Sequence, residues 1–196
     1  MNSEKIVIAI EGIDGAGKTT IINELSKRYT NKLAIYKRTK KGKFVDKLVS
    51  CRLMKKYNKL QIPIYLLLSY KNYISFKAKK EQEVIVMDRC FLSNICYFYP
   101  NALFDKNLYG RLLFFEIKLC PQIIFILDVN PEVGQKRDNY KKNLNWLVDT
   151  RAAYLKANQS DFLADIDIEI LCADISIEEK AKIIIKYIEG KKSSGN

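Results

Sequence analysis

Short β-branched apolar runs, separated by longer segments of helical spacing, constrain this chain more than any other feature of it. Lys5 to Ile10, Leu33 to Lys37, Val84 to Met87, Gln122 to Leu127 and Asp167 to Leu171 each have the length and composition of a strand buried on both faces. Helical spacing fills the intervals at Thr19 to Tyr29, Phe44 to Lys55, Ile64 to Lys80, Leu103 to Lys118, Pro131 to Lys136, Leu144 to Ala157 and Ile177 to Ile188. Parallel strands need crossover helices, so the alternation predicts an α/β domain with a doubly wound, five-stranded parallel sheet flanked by helices. Pro131 suits a first helical turn, and Ser176 before Glu178 and Glu179 reads as an N-cap with acidic first-turn residues. One domain is expected over residues 1–189, with the small, polar stretch 190–196 as a flexible tail.

Composition narrows the chemistry. Lys and Arg total 34 against 22 Asp and Glu, a net charge of +12, which calls for an anionic partner: nucleic acid, a membrane surface or a phosphate-bearing small molecule. There is no His, which excludes a Ser-His-Asp or Cys-His nucleophile, His-ligated zinc and an imidazole base. Cys51, Cys90, Cys96, Cys120 and Cys172 form an odd set without a C-x-x-C pair, as expected of apolar fillers in a reducing compartment. The apolar run Ile6 to Ile10 is too short for a signal sequence, and no apolar stretch has membrane-spanning length, so the expectation is a cytoplasmic protein that does not enter membranes.

The most specific local signal is Gly12-Ile-Asp-Gly-Ala-Gly-Lys-Thr19, a G-x-x-x-x-G-K-[ST] phosphate loop between the first strand and the first helix, which is the context this motif requires. Gly12, Asp14, Gly15, Ala16, Gly17, Lys18, Thr19 and Thr20 would wrap backbone N–H groups around the phosphates of ATP, with the helix N-terminus behind them. Lys18 would reach the β- and γ-phosphates, and the Thr19 hydroxyl would help to hold Mg²⁺. The chain has only eight glycines, and three of them, Gly12, Gly15 and Gly17, fall within six residues.

Asp88-Arg89 closes the third strand, where an acidic side chain beside the phosphate loop can serve Mg²⁺ and its waters and an Arg can take an acceptor phosphate bidentately. Lys136, Arg137, Lys141 and Lys142 form a late basic segment, read either as a flap bringing charge over the transferring group or as a solvated turn. The earlier run Lys37, Arg38, Lys40, Lys41, Lys43 and Lys47 follows the second strand, so some of its members would face the ligand crevice.

In this order, these motifs resemble the thymidylate kinase family. Glu11-Gly-Ile-Asp-Gly-Ala-Gly-Lys-Thr-Thr20 is close to that family's phosphate loop; Asp88-Arg89 with Ser93 is similar to D-R-[YW]-x-x-S; Leu127-Asp-Val-Asn-Pro-Glu132 is similar to L-D-V-x-P-E; Arg151-Ala-Ala-Tyr154-Leu is similar to the segment after the lid. The resemblance implies a P-loop kinase fold with a short lid, here about residues 136–144, and transfer of the γ-phosphoryl group of Mg·ATP to the 5′-phosphate of dTMP. It further implies Lys18 and Thr19 on ATP and Mg²⁺, Asp14 on the acceptor sugar, Arg38 and Arg89 on the acceptor phosphate, and Tyr97 against the deoxyribose. Gly15 stands where some members carry a catalytic Arg in the phosphate loop, which leaves Arg137 for that role. Leu67 and Lys71 align with the family's base-stacking Phe and base-reading Arg, and Cys90 stands where it has Tyr or Trp after Asp-Arg. A homodimer is also implied.

Two other readings stand beside this one. A deoxynucleoside kinase would use a carboxylate such as Glu11 or Asp88 to deprotonate a 5′-hydroxyl. A nucleotide-dependent nucleic-acid-binding module would need aromatics interleaved with the basic run, which the sequence lacks, so no stable nucleic-acid partner is expected beside ATP and a nucleoside monophosphate.

Overall fold

A computed structural model describes residues 5–30, 32–37, 74, 83–98, 121–160 and 163–194. The expected helices Phe44 to Lys55, Ile64 to Lys80 (Ile74 excepted, which is helical) and Leu103 to Lys118 lie outside the described residues, as do Arg38, Leu67, Lys71, Cys51 and Cys120.

The five strands are β1 (Ile6–Glu11), β2 (Leu33–Lys37), β3 (Val84–Asp88), β4 (Ile123–Leu127) and β5 (Asp167–Leu171). They form one parallel sheet in the order β2-β3-β1-β4-β5. Ile8 sits level with Val86 on one side and Ile123 on the other, so the loops leaving β1, β3 and β4 emerge together at the carboxyl edge, where open α/β sheets bind ligands.

Burial follows position in the sheet. Ile8, Ile10, Val84, Val86, Ile124 and Phe125 are fully buried, as expected of strands covered on both faces. The outer strands correct that expectation: β2 and β5 are mostly half-buried, because an edge strand has a neighbour on one side only.

Helices α1 (Lys18–Arg28), α2 (Leu92–Phe98), α3 (Pro131–Arg137), α4 (Leu144–Lys156) and α5 (Ile177–Ser194), with a 3-10 turn at Ala157–Gln159 after α4, complete the described elements. Their starts are fixed by side chains. Asn130 accepts from the Glu132 N–H and Asn143 from the Asn145 N–H, each capping a helix. Ser176 and Glu179 form a reciprocal capping box, with the Glu179 N–H on Ser176 Oγ and the Ser176 N–H on the Glu179 carboxylate.

The C-terminal helix runs to Ser194, well past the expected end at Ile188 and into the stretch read as a flexible tail. Its own Ile184 and Ile188 are buried. Arg28 pairs with Glu189 at 2.9 Å and Lys192 with Glu83 at 2.9 Å, tying the last turns to the body. Each exposed pair contributes little alone, but together they oppose the cost of about 1 kcal/mol for Gly190 inside a helix. Cys90 and Cys96 are buried and Cys172 is exposed, and none of the three is in a disulfide. Among the described residues no helix is long and apolar enough to cross a membrane.

Candidate active site

The loop from β1 to α1 is built on glycines held close to other elements. Gly12, Gly15 and Gly17 all have positive φ, at 134°, 78° and 91°. Gly15 lies against Gly134 of α3, so that a Cβ on Gly15 would strike the Gly134 backbone, and one on Gly134 would come within 2.8 Å of the Asp14 carbonyl. The phosphate loop and α3 therefore meet backbone to backbone. Gly17 caps α1 without a side-chain partner, which leaves the first N–H groups of the helix for an anion. Thr19 and Thr20 are exposed at this mouth.

Lys18 folds back over the loop. Its Nζ donates to the carbonyls of Gly12 (3.0 Å) and Ile13 (2.7 Å). Burial, reinforced by the charge of Arg89, lowers its pKa to about 7. An ammonium poised in this way gains most from a phosphate that restores its charge partner.

Arg89 follows β3 in the left-handed region, at φ 68°, a conformation that costs a residue with a side chain about 1–3 kcal/mol. Two bonds hold it there: its own N–H donates to Ile10 O (3.2 Å), and the next N–H, of Cys90, donates to Glu11 Oε1 (2.7 Å). The side chain is thereby aimed back across the phosphate loop. Nη2 donates to Asp14 Oδ1 at 2.6 Å and to the Tyr97 hydroxyl at 3.2 Å; Nη1 donates to Gly12 O at 3.1 Å and Ser93 Oγ at 3.2 Å. Burial works against the guanidinium charge, but Tyr154, Tyr97, Glu11 and Asp14 outweigh it and hold the pKa above the ordinary Arg value. The side chain as a whole keeps 22% exposure.

An aromatic wall stands beside it. Tyr97 packs edge-on against Trp146, with centroids 4.9 Å apart, and Lys142 lies 4.8 Å over the Trp146 ring. Trp146 is at the start of α4, and the sequence reading missed its part in the site. Nothing in its spacing distinguishes it from a core residue.

The basic segment is only partly a loop. Lys136 and Arg137 close α3, and Asn139 and Tyr140 turn the chain with φ of 54° and 55° before Asn143 caps α4. Arg137 Nη1 points to the Gly15 carbonyl at 3.5 Å. Asp128, from the L-D-V-x-P-E stretch, is held bidentately by Arg151 (2.6 and 2.8 Å), and its carbonyl accepts from Lys180 Nζ (3.0 Å). It joins β4, α4 and α5 and is not open to a ligand.

Asp88 ends β3, half-buried and near enough to Lys18 to act on its charge. Among the described residues no group of three or more His, Cys, Asp or Glu forms a metal cage. The Thr19 hydroxyl and the Asp88 carboxylate are hard oxygen donors at the phosphate-loop mouth, and neither is engaged by a described side chain. That set suits an Mg²⁺ that completes its octahedron with nucleotide phosphate and water.

The sequence model of the family described as thymidylate kinase matches residues 10–182. A "probable thymidylate kinase" of Archaeoglobus fulgidus is 30% identical over 202 aligned residues, covering 96% of this chain and 100% of that protein. A "probable thymidylate kinase 1" of Saccharolobus solfataricus is 29% identical over 161 residues, 76% of this chain and 82% of its own length. Among solved structures, the deoxyadenosine kinase from M. mycoides with bound dATP matches with a TM-score of 0.65 at 20% identity, over 94% of this chain and 100% of that one. That likeness concerns the fold.

Proposed function

Since the chain belongs to the thymidylate kinase family, we propose that it transfers the γ-phosphoryl group of Mg·ATP to the 5′-phosphate of dTMP, giving dTDP. One observation carries the site reading: Lys18 Nζ and Arg89 Nη1 converge on the same oxygen, Gly12 O, at 3.0 and 3.1 Å. A cation for the donor phosphates and a cation for the acceptor phosphate are thus set side by side, as in-line transfer between two phosphates requires.

In this reading Gly12 to Thr20 wrap the ATP phosphates, Lys18 neutralises the leaving side, and Thr19 and Asp88 hold the metal. When bound, Mg²⁺ neutralises charge on the nucleotide phosphates. Arg89 binds and aligns the acceptor phosphate, with Asp14 and Tyr97 against the sugar. Arg137, one helical turn after Gly134, brings charge to the transferring group from the α3 side. Arg38, Leu67 and Lys71, which lie outside the described residues, would serve the acceptor as the family resemblance implies. The attacking atom is an anionic phosphate oxygen, so positioning and charge neutralisation suffice and a chain without His loses nothing.

The deoxynucleoside-kinase reading needs a free carboxylate base. Glu11 is not one, being fully buried and accepting four hydrogen bonds; that reading is left with Asp88, which the present one gives to the metal. A coupled ADP-release assay with Mg·ATP against dTMP, dUMP, dCMP, dGMP, thymidine and deoxycytidine tests the proposal. The expected result is turnover greatest on dTMP. Turnover on thymidine with none on a monophosphate would overturn it.

A further inference from the structure

Glu11 ends β1 with no solvent exposure; its four hydrogen-bond partners are all donors, and Arg89 Nη1 stands beyond them, 3.9 Å from Oε2, as an ion-pair partner without a direct hydrogen bond. The N–H groups of Cys90 (2.7 Å) and Ser93 (3.2 Å) reach Oε1; the hydroxyls of Ser93 (2.6 Å) and Tyr154 (2.8 Å) reach Oε2. The same two hydroxyl oxygens accept from Arg89 Nη1, at 3.2 and 3.4 Å. Proton counting then fixes the direction of the relay. Two hydroxyls have two protons, a carboxylate only accepts, and the two contacts to Glu11, at 2.6 and 2.8 Å, are shorter than the 3.1 Å contact between the Ser93 and Tyr154 hydroxyls that competes for the same protons. Both protons are drawn away from the guanidinium, which leaves two lone-pair faces toward it.

We propose that Glu11 is a positioning residue for Arg89: it clamps the backbone on the far side of the left-handed Arg89 and turns the Ser93 and Tyr154 hydroxyls into acceptors for its guanidinium. The inference rests on the reading of Arg89 as the ligand of the acceptor phosphate only for its kinetic consequence, not for its geometry.

Glu11→Gln makes the sharpest test, because its shape is unchanged and its flip is forced. The backbone N–H groups of Cys90 and Ser93 cannot reverse, so the amide oxygen must take the Oε1 place and the NH₂ the Oε2 place. That NH₂ donates to both hydroxyls, and at least one hydroxyl proton must then face the guanidinium. Steady-state kinetics of Glu11→Gln should show the acceptor KM raised by about tenfold or more, with kcat lowered and the ATP KM held within about twofold. Tyr154→Phe, which removes one acceptor and leaves the backbone clamp, should move the same parameters in the same direction by about threefold. In the Arg89→Ala background Glu11→Gln should add little, since the residue through which it acts is gone.

Side-chain ¹⁵N NMR of Arg89 in the free protein reads the geometry without reference to substrate. The native protein should show slow rotation at the guanidinium Nη groups, and Glu11→Gln faster rotation; if Glu11→Gln does not fold, Tyr154→Phe takes its place in this comparison. Unchanged Arg89 signals in the variant overturn the inference, as does an equal loss for ATP and acceptor. If Arg89→Ala leaves the acceptor KM unaltered, the reading of Arg89 fails, and the NMR comparison alone decides the role of Glu11.

Discussion

Lys18 and Arg89 donate to one carbonyl oxygen, that of Gly12. Residues 71 positions apart in the chain thereby become one electrostatic unit, and the charge of Arg89 is one reason the Lys18 ammonium is depressed. An anion entering between them relieves both. Lys18→Met should therefore lower kcat by about 10²–10³. Its thermal midpoint without nucleotide should stay near that of the native protein, because the replacement also removes a buried ammonium whose charge opposes folding. Steady-state kinetics with a thermal melt check both halves.

The pH dependence of nucleotide binding carries a definite sign. In the free protein Lys18 loses its proton near pH 7, whereas a bound phosphate favours the charged form. Between pH 7 and the pKa of the complex, binding of ATP without Mg²⁺ must take up as much as one proton. The association constant should fall by about tenfold per pH unit in that range, and Lys18→Met should abolish the slope. Titration calorimetry in buffers of different ionisation enthalpy measures the uptake directly.

The backbone meeting of Gly15 and Gly134 leaves no room for a methyl group. Gly134→Ala must separate α3 from the phosphate loop, which should cost about 1–3 kcal/mol of stability and raise the ATP KM, since Asp14 and Gly15 move with it. Gly15→Ala should be worse, because its φ of 78° adds strain to the collision. Chemical denaturation and ATP kinetics of the two variants test the ranking.

Arg151 holds the carboxyl of Asp128 below the usual carboxylate range through its paired hydrogen bonds. A carboxylate depressed in the folded state stabilises above its unfolded pKa and loses that contribution as pH falls through the folded pKa. Asp128→Asn should accordingly be less stable than the native protein at neutral pH, with the gap closing on acidification. Urea unfolding at pH 7 and below pH 4 makes the comparison.

The central strands and the phosphate loop were legible because both are local. β-branched runs end where charge begins, so Val84 to Met87 and Leu33 to Lys37 match the observed strands to within a residue, and Ser176 and Pro131 marked their helices. The short α2 was not legible. Its seven residues offer little periodicity, and its start is held by Glu11, from another strand, through the Cys90 and Ser93 N–H groups. Glu11 drew attention as a base because a carboxylate beside a phosphate loop has that chemistry; only its four partners show it to be spent. Gly134 read as an ordinary helix residue, since its need for a bare backbone comes from Gly15, over a hundred residues away. The extension of α5 to Ser194 depends likewise on Glu83 and Arg28, which sequence spacing does not bring near.

Arg137 reaches the loop from α3 with its guanidinium exposed and 3.5 Å from Gly15 O. Among the described residues no carboxylate pairs with it, and in the proposed mechanism its charge acts on the phosphoryl group in transit. Arg137→Ala should lower kcat by about tenfold or more while both KM values stay within about threefold, the pattern of an interaction made in the transition state. Initial-rate kinetics over both substrates distinguish this from a ground-state role.

Arg89 is the proposed bridge between the phosphate loop and the acceptor. Its most direct test is the pair of KM values for dTMP and ATP, with kcat, in Arg89→Ala. A contact that both binds and aligns the acceptor phosphate predicts a dTMP KM raised by about tenfold or more together with a kcat reduced by a similar factor, and an ATP KM within about threefold. An effect confined to ATP, or kinetics for dTMP like those of the native enzyme, would contradict it.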